Sequence, residues 1–260
     1  EGSITYLYFA DRLVQFPLGI FAIAAATAVL PSLSRQAATN EVEALKVTFS
    51  YSVRLTLFLT IPSMVGLIIL REPIIALLFQ RGEFSLQAAR LTARALLYYA
   101  IGLWAFSAVR IVAATFFALK DTRTPMIMAT ISILANIVLG IVLMGPLEHG
   151  GLALATSLAS ALNLGLLVYA LRRKLGALGW RRIAQSACKT LGNAAIMGAV
   201  VWTAARMLLE AETGTFTGQV AKLAVCVMIG LAVFGACSYL TGSREFTRVV
   251  AEVKKGIGKK

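Results

Sequence analysis

Tyr6–Pro31 reads YLYFADRLVQFPLGIFAIAAATAVLP. The run is almost wholly apolar and long enough to cross a bilayer, which asks for about 20 such residues. Yet Asp11 and Arg12 stand side by side in its first half. A charge on a membrane-spanning helix costs roughly 3 kcal/mol even on lenient insertion scales, so it is expected to face a protein interior or an aqueous cavity. Pro17 and Gly19 follow within two turns, where the helix can bend and leave backbone groups that only other protein groups can satisfy. The rest of the chain reads as one wall of a polar cavity built around this helix.

Composition agrees. Of 260 residues, 58% are hydrophobic and 14% charged, and the mean hydropathy is +0.80. Sustained apolar runs between short polar loops indicate an all-α polytopic membrane protein. The formal net charge of +13 would suggest nucleic acid in a soluble protein. Here the basic residues sit in loops, as the positive-inside rule requires, and no nucleic-acid partner is expected. Cys188, Cys226 and Cys237 lack metal-type spacing, and His149 is the single histidine. No Ser/His/Asp set, carboxylate pair or phosphate-cradling glycine loop is present, so neither an enzyme nor a cofactor is indicated. The chain opens at Glu1 without a signal peptide and reads as the C-terminal part of a longer protein.

Seven spans are expected, over residues 4–30, 47–70, 91–119, 126–144, 152–171, 188–209 and 219–240. Arg35 and Lys46, Lys120 and Arg123, and Arg172 to Arg182 follow the odd-numbered spans. The fourth connection carries Glu148 and no Lys or Arg, and the sixth carries Glu210 and Glu212. That bias places the odd connections and the C-terminus in the cytoplasm. The second connection departs from it with Arg71, Arg81, Arg90 and Arg94. Its apolar stripe, about 73–80, reads as a short helix lying in the interface, followed by a turn at Arg81-Gly82. The domain layout is a five-span transport lobe (1–171), a basic cytoplasmic linker (172–187), two further spans (188–240) and a basic tail (241–260) on anionic headgroups. In the sixth span Arg206 can pair with Glu210 one turn on.

Arg12 is the leading binding candidate. Neighbours on a helix point about 100° apart, so Asp11 and Arg12 do not face each other. Asp11 is expected to find a partner on another helix, leaving Arg12 aimed elsewhere. Gln15, one turn after Asp11, shares its face. Arg54 and Arg110 are further candidates, against the alternative that both snorkel to headgroups. Asn136 and Thr156 are weak cation-site candidates, with interhelical hydrogen bonding the favoured role and no metal site expected. Several buried arginines with few carboxylates fit an anionic substrate. A guanidinium matches phosphate bidentately and stays charged at any usable pH, so a phosphate-bearing lipid headgroup is the natural ligand.

The run YFADRLVQFPLGIFAIAAATAVLPSLS closely resembles the eighth helix of the MurJ/MviN family, the lipid II flippases of peptidoglycan synthesis. REPIIALLFQRGEF, ALKDTRTP and GPLEHGGLALATSLASALN resemble successive signatures of that family, in order. The resemblance covers Gly2 to Leu171, and hydropathy carries it to the tail. It implies membership of the MOP exporter superfamily, which includes the MATE transporters. The fold would be a MATE-like C-terminal lobe plus two extra transmembrane helices, corresponding to spans eight to fourteen. It also implies a function: flipping lipid II, an undecaprenyl-pyrophosphate-linked precursor, across a bacterial inner membrane by alternating access. Partners would be lipid II, membrane phospholipids and peptidoglycan synthases. On the family pattern Arg12 is the cavity arginine, with Asp11 beside it. Gln15 stands where some relatives carry an acid, and Arg54 and Arg110 fall where the family also tends to place basic residues. The lipid tail would run in a groove lined by spans six and seven. Some members bind sodium with an acid near the Asn136 level; here the next turn offers Gly140. Rival readings are a MATE-like small-molecule exporter and a non-transporting scaffold for cell-wall synthesis.

Overall fold

A computed structural model describes residues 3–79, 85–209 and 216–257 of the chain. The described chain is helical throughout apart from short connections. Its elements are α1 (Ser3–Pro17), a π segment (Leu18–Ile23), α2 (Ala24–Ala38), α3 (Val42–Phe79), α4 (Leu86–Ile101), α5 (Leu103–Ala118), α6 (Arg123–Leu147), α7 (His149–Leu175), α8 (Trp180–Leu209), α9 (Phe216–Leu240) and α10 (Arg244–Ile257). Among these residues six helices are long and apolar enough to cross a membrane, and the bent α4–α5 pair counts as a seventh when taken as one span.

The first span does not break at Pro17. Proline lacks the N–H that would bond one turn back, and the chain absorbs the loss by widening into the π segment over Leu18–Ile23. The rod then continues as α2, so α1, the π segment and α2 form one element, of which the 34 residues Thr5–Ala38 make the candidate span.

Three boundaries differ from those read in the sequence. The third span is interrupted at Gly102, where α4 and α5 meet at 42°. Gly102 has φ −81°, a value open to any residue, so space rather than backbone freedom selects glycine here. A Cβ at this position would stand 2.5 Å from Ser157 Oγ and 2.9 Å from the Phe106 ring. At the bend the Gly102 N–H bonds to the Tyr99 carbonyl, and the Tyr98 carbonyl is taken instead by the Ser157 hydroxyl of α7 at 2.7 Å.

The stripe at 73–80 is not a separate interfacial helix. Residues up to Phe79 are the last turns of α3, whose 38 residues span about 57 Å and so overrun a core of roughly 30 Å. Ile75 is fully buried, in a cluster with Ala10, Val14 and Leu96, and the Phe79 ring lies 4.5 Å from Phe9. Packing against α1 and α4 therefore claims the apolar face that an interfacial helix would give to lipid. Arg81 and Gly82 lie outside the described residues.

The basic linker is also shorter. Helix α7 runs to Leu175 and α8 starts at Trp180, leaving a four-residue loop with positive φ at Gly176 and Gly179. Arg172–Lys174 and Arg181–Arg182 complete helical turns that extend past the apolar segment. Glu210 lies outside the described residues; Arg206 stacks on Trp202 at 4.0 Å.

Helices α3, α5, α7 and α8 share the larger core. Phe49, Leu57 and Phe58 of α3 meet Ile111 and Phe116 of α5, Leu167 and Leu171 of α7, and Met197 and Val201 of α8. Gly198 lets α8 approach α3 closely, since a Cβ there would reach 2.8 Å from Val65. Helix α9 packs on α8, where Asn193 donates to Thr241 Oγ1 (3.0 Å) and Ser238 Oγ (3.4 Å). By contrast α6 packs chiefly on α7 and exposes Ile133, Ile137, Ile141 and Val142 along its outer side, as a lipid-facing helix does.

Candidate functional site

The α1–α2 rod is buried along one side against α4 and α5 and open along the other. Tyr8, Arg12, Gln15, Phe16, Ile20, Ile23 and Thr27 fall on the open side at helical spacing. This stripe of exposed residues carries the leading candidates. Arg12 Nη2 donates to the Tyr8 hydroxyl at 3.0 Å, and its guanidinium lies 5.0 Å from that ring's centre. The tyrosine one turn before holds the guanidinium against an aromatic face without neutralising its charge.

Asp11 is half-buried. Its nearest partner is on its own helix rather than on another: Gln15 Nε2 donates to Asp11 Oδ2. Intrahelical spacing brings that amide within reach at no cost in tertiary geometry. Across the packing seam, Tyr99 of α4 lies within electrostatic range of Asp11 and beside Thr156 of α7, whose hydroxyl donates to the Leu152 carbonyl. Asp11, Gln15, Tyr99 and Thr156 thus form one polar cluster joining three helices.

Helix α7 extends this polarity. Thr156, Ser160 and Asn163 recur at i, i+4 and i+7 and share a face. Ser160 lines a groove of about 540 Å³ between the rod and α5, with Ile23, Thr27, Phe106 and Arg110 also on its wall. Asn163 Oδ1 is buried and accepts no hydrogen bond among the described residues. Arg12 and Arg110 are both exposed, on neighbouring elements, with no carboxylate bonded to either among the described residues.

Arg54 is placed elsewhere. Its Nη1 lies 3.2 Å from Glu245 Oε1, with 18% of the arginine side chain and 6% of the glutamate exposed. The pair ties α3 to α10. Asn136 is half-buried on α6. Gly140 faces Leu152 across the antiparallel α6–α7 pair, which sets Asn136 at the level of Thr156. Among the described residues no three of His, Cys, Asp and Glu gather closely enough to hold a metal ion.

On the face shared by the α5–α6 turn and the end of α7, Asp121 accepts from Lys174 Nζ (2.7 Å), Thr124 Oγ1 (2.9 Å) and the Thr124 N–H (3.0 Å). Its carboxyl is held at about 2, chiefly by the hydrogen bond from Lys174 and then by the Thr124 N–H.

A family model described as "Lipid II flippase MurJ" matches residues 1–231. The chain belongs to the MurJ family. A probable lipid II flippase MurJ of Vibrio cholerae is 34% identical over 239 residues, covering 92% of this chain and 45% of that protein. A second of that description, from Rhizobium meliloti, is 33% identical over 98% of this chain and 48% of its own length. A solved structure titled "Lipid II flippase MurJ, inward closed conformation" aligns with a TM-score of 0.75 and 30% identity, over 93% of this chain and 47% of that one. The chain therefore spans about half the length of the MurJ relatives it matches. With the seven spans it is a multi-pass membrane protein with the MurJ fold over that half.

Tyr8 and Tyr99 were not legible as site residues. Tyr8 could have been found from its position one turn before Arg12. Tyr99 carries no local signal, since its role depends on where α4 packs.

Proposed function

We propose that the chain forms one wall of the path along which a MurJ-family protein flips lipid II from the inner to the outer leaflet of a bacterial inner membrane, with the C-terminus in the cytoplasm. The observation that carries the reading is the open side of the α1–α2 rod: a membrane-depth stripe with an uncompensated arginine, within a chain of the MurJ family. A cation held on an aromatic face inside the membrane span suits a pyrophosphate, which a guanidinium engages with two parallel hydrogen bonds. Arg110, at the groove beside α5, takes a second anionic group or the same one later in the passage. Asp11 orients Gln15, whose amide adds a neutral polar contact for the sugars.

The process is transport, without covalent chemistry. Alternating access requires a facing wall, and rocking of two such walls exposes the stripe to each side in turn. Membrane phospholipids surround the lobe, and peptidoglycan synthases receive the exported precursor.

Site-specific photo-crosslinking tests the placement. A photoreactive residue at Ile20, on the open side of the rod, captures lipid II in the full-length protein, whereas one at Ile137, equally exposed on α6, does not. Equal capture at both positions would show that the rod face is ordinary lipid-facing surface and would overturn the reading.

A further inference from the structure

A second polar cavity lies at the other edge of the molecule. It measures about 740 Å³ and is walled by α3, α8 and the start of α10. Its chemistry follows from the α8 sequence, which starts Trp180-Arg181-Arg182. Arg182, Ser186 and Lys189 recur at i, i+4 and i+7, so they share one helical face, and all three line the cavity together with Gln185. Arg244 and the chain before it close the far side, and Arg54 forms the floor.

The charges are unequal. Glu245 neutralises Arg54 across 3.2 Å, and its second oxygen accepts from the Ser243 hydroxyl at 3.1 Å. Arg182, Lys189 and Arg244 make no ion pair among the described residues, yet they converge on the same space. The N-terminal turn of α10 borders that space, with its positive dipole end adding to the field. Such a concentration of cation around a cavity of this size is a site for a polyanion.

The surroundings choose between a soluble anion and an amphiphile. Trp180 is 43% exposed at the first turn of α8, the position an aromatic takes at headgroup depth. On the opposite face of α8, Ile183, Ala187 and Leu191 line an apolar groove of about 670 Å³ against α3, α5 and α7. Cys188 borders both spaces, so the basic cavity and the apolar groove meet around the exposed edge of α8. Cations beside an apolar groove at headgroup depth match an anionic phospholipid, phosphate on one side and acyl chain on the other.

We propose that the cavity between α3, α8 and α10 binds the phosphate-bearing headgroup of an anionic phospholipid. The site is separate from the rod face, and the inference does not rest on lipid II being the transported substrate. Arg182 and Lys189 contact the phosphate, Arg244 completes the cradle, and Glu245 keeps Arg54 in place beneath it.

The test uses the purified full-length protein, stripped of lipid in detergent and titrated with phosphatidylglycerol or phosphatidylcholine. Bound lipid is counted by native mass spectrometry, without lipid II. The unchanged protein binds phosphatidylglycerol in preference to phosphatidylcholine. The variant Arg182→Gln/Lys189→Gln loses roughly thirtyfold in that affinity, the scale expected on removing two headgroup-facing cations. A control of equal charge, Lys120→Gln/Arg123→Gln, keeps it; both pairs are exposed, so folding is preserved. Equal affinity in the Arg182/Lys189 variant, or an equal loss in the control, overturns the proposal. Inorganic phosphate is titrated in a parallel arm by calorimetry. Tight binding of phosphate with no preference for phosphatidylglycerol would assign the cavity to a soluble anion and overturn the lipid.

Discussion

Ser157 and Gly102 make the bend between α4 and α5, and their coupling can be measured. Replacing Ser157 by Ala leaves the Tyr98 carbonyl without the hydroxyl that bonds it at 2.7 Å, because the Gly102 N–H has already turned to Tyr99. A buried acceptor deprived of its donor costs about 1–3 kcal/mol. Replacing Gly102 by Ala drives a Cβ to 2.5 Å from Ser157 Oγ and 2.8 Å from its Cβ. Overpacking of that kind costs about 1–3 kcal/mol, offset in part by roughly 1 kcal/mol of helix propensity. The two changes are not independent. With Ser157→Gly both clashing atoms are gone, and only the Phe106 ring edge at 2.9 Å remains, which can turn aside. In that background Gly102→Ala costs nothing or stabilises slightly, so the coupling is about 1–3 kcal/mol. The assay is thermal unfolding of the detergent-solubilised full-length protein, followed by the soluble monodisperse fraction across a four-protein cycle. Effects that add to within about 0.5 kcal/mol would refute the view that Ser157 sets the bend.

Other consequences are simpler to check. The depressed Asp121 carboxyl stabilises the fold above the ordinary carboxylate value of 3.8, and the contribution is lost as pH falls toward about 2. Lys174→Ala removes the strongest cause. With Lys174 itself 44% exposed, the loss is about 1 kcal/mol at pH 6, and the Tm gap from the unchanged protein shrinks at pH 2.5. Gly151→Ala sets a Cβ onto the Leu143 carbonyl, a backbone group that cannot yield, and should abolish the folded fraction on size exclusion. Glu245→Ala leaves Arg54 facing no carboxylate at 18% exposure, weakens the α10 contact by about 1–3 kcal/mol, and speeds tryptic cleavage at Arg244 and Arg248.

The fold class was plain from the sequence because bilayer thickness and backbone hydrogen bonding leave few options for long apolar runs. The seven-span count follows from that alone. What stayed hidden were positions set by packing between distant elements. Pro17 and Gly19 marked a place where the helix can bend, but nothing local indicated that the chain passes it as a π segment. Gly102 gave no local sign of a break, since its partner Ser157 is 55 residues away. The stripe at 73–80 had an interfacial pattern, and only the apposition of Ala10, Val14 and Leu96 makes Ile75 core. Within the candidate site, Arg12 was legible because a charge inside an apolar span has few explanations. Arg54 looked equally anomalous, yet its explanation was Glu245, on a tail helix 191 residues on.

The role proposed for Arg12 is to engage the anionic headgroup from the rod's open side during flipping. Its most direct test is lipid II exposure on the outer face of cells depleted of their own flippase and supplied with the full-length protein, unchanged or carrying Arg12→Ala, at matched membrane levels. The unchanged protein is expected to restore exposure and Arg12→Ala to fail. Full restoration by Arg12→Ala would contradict that role.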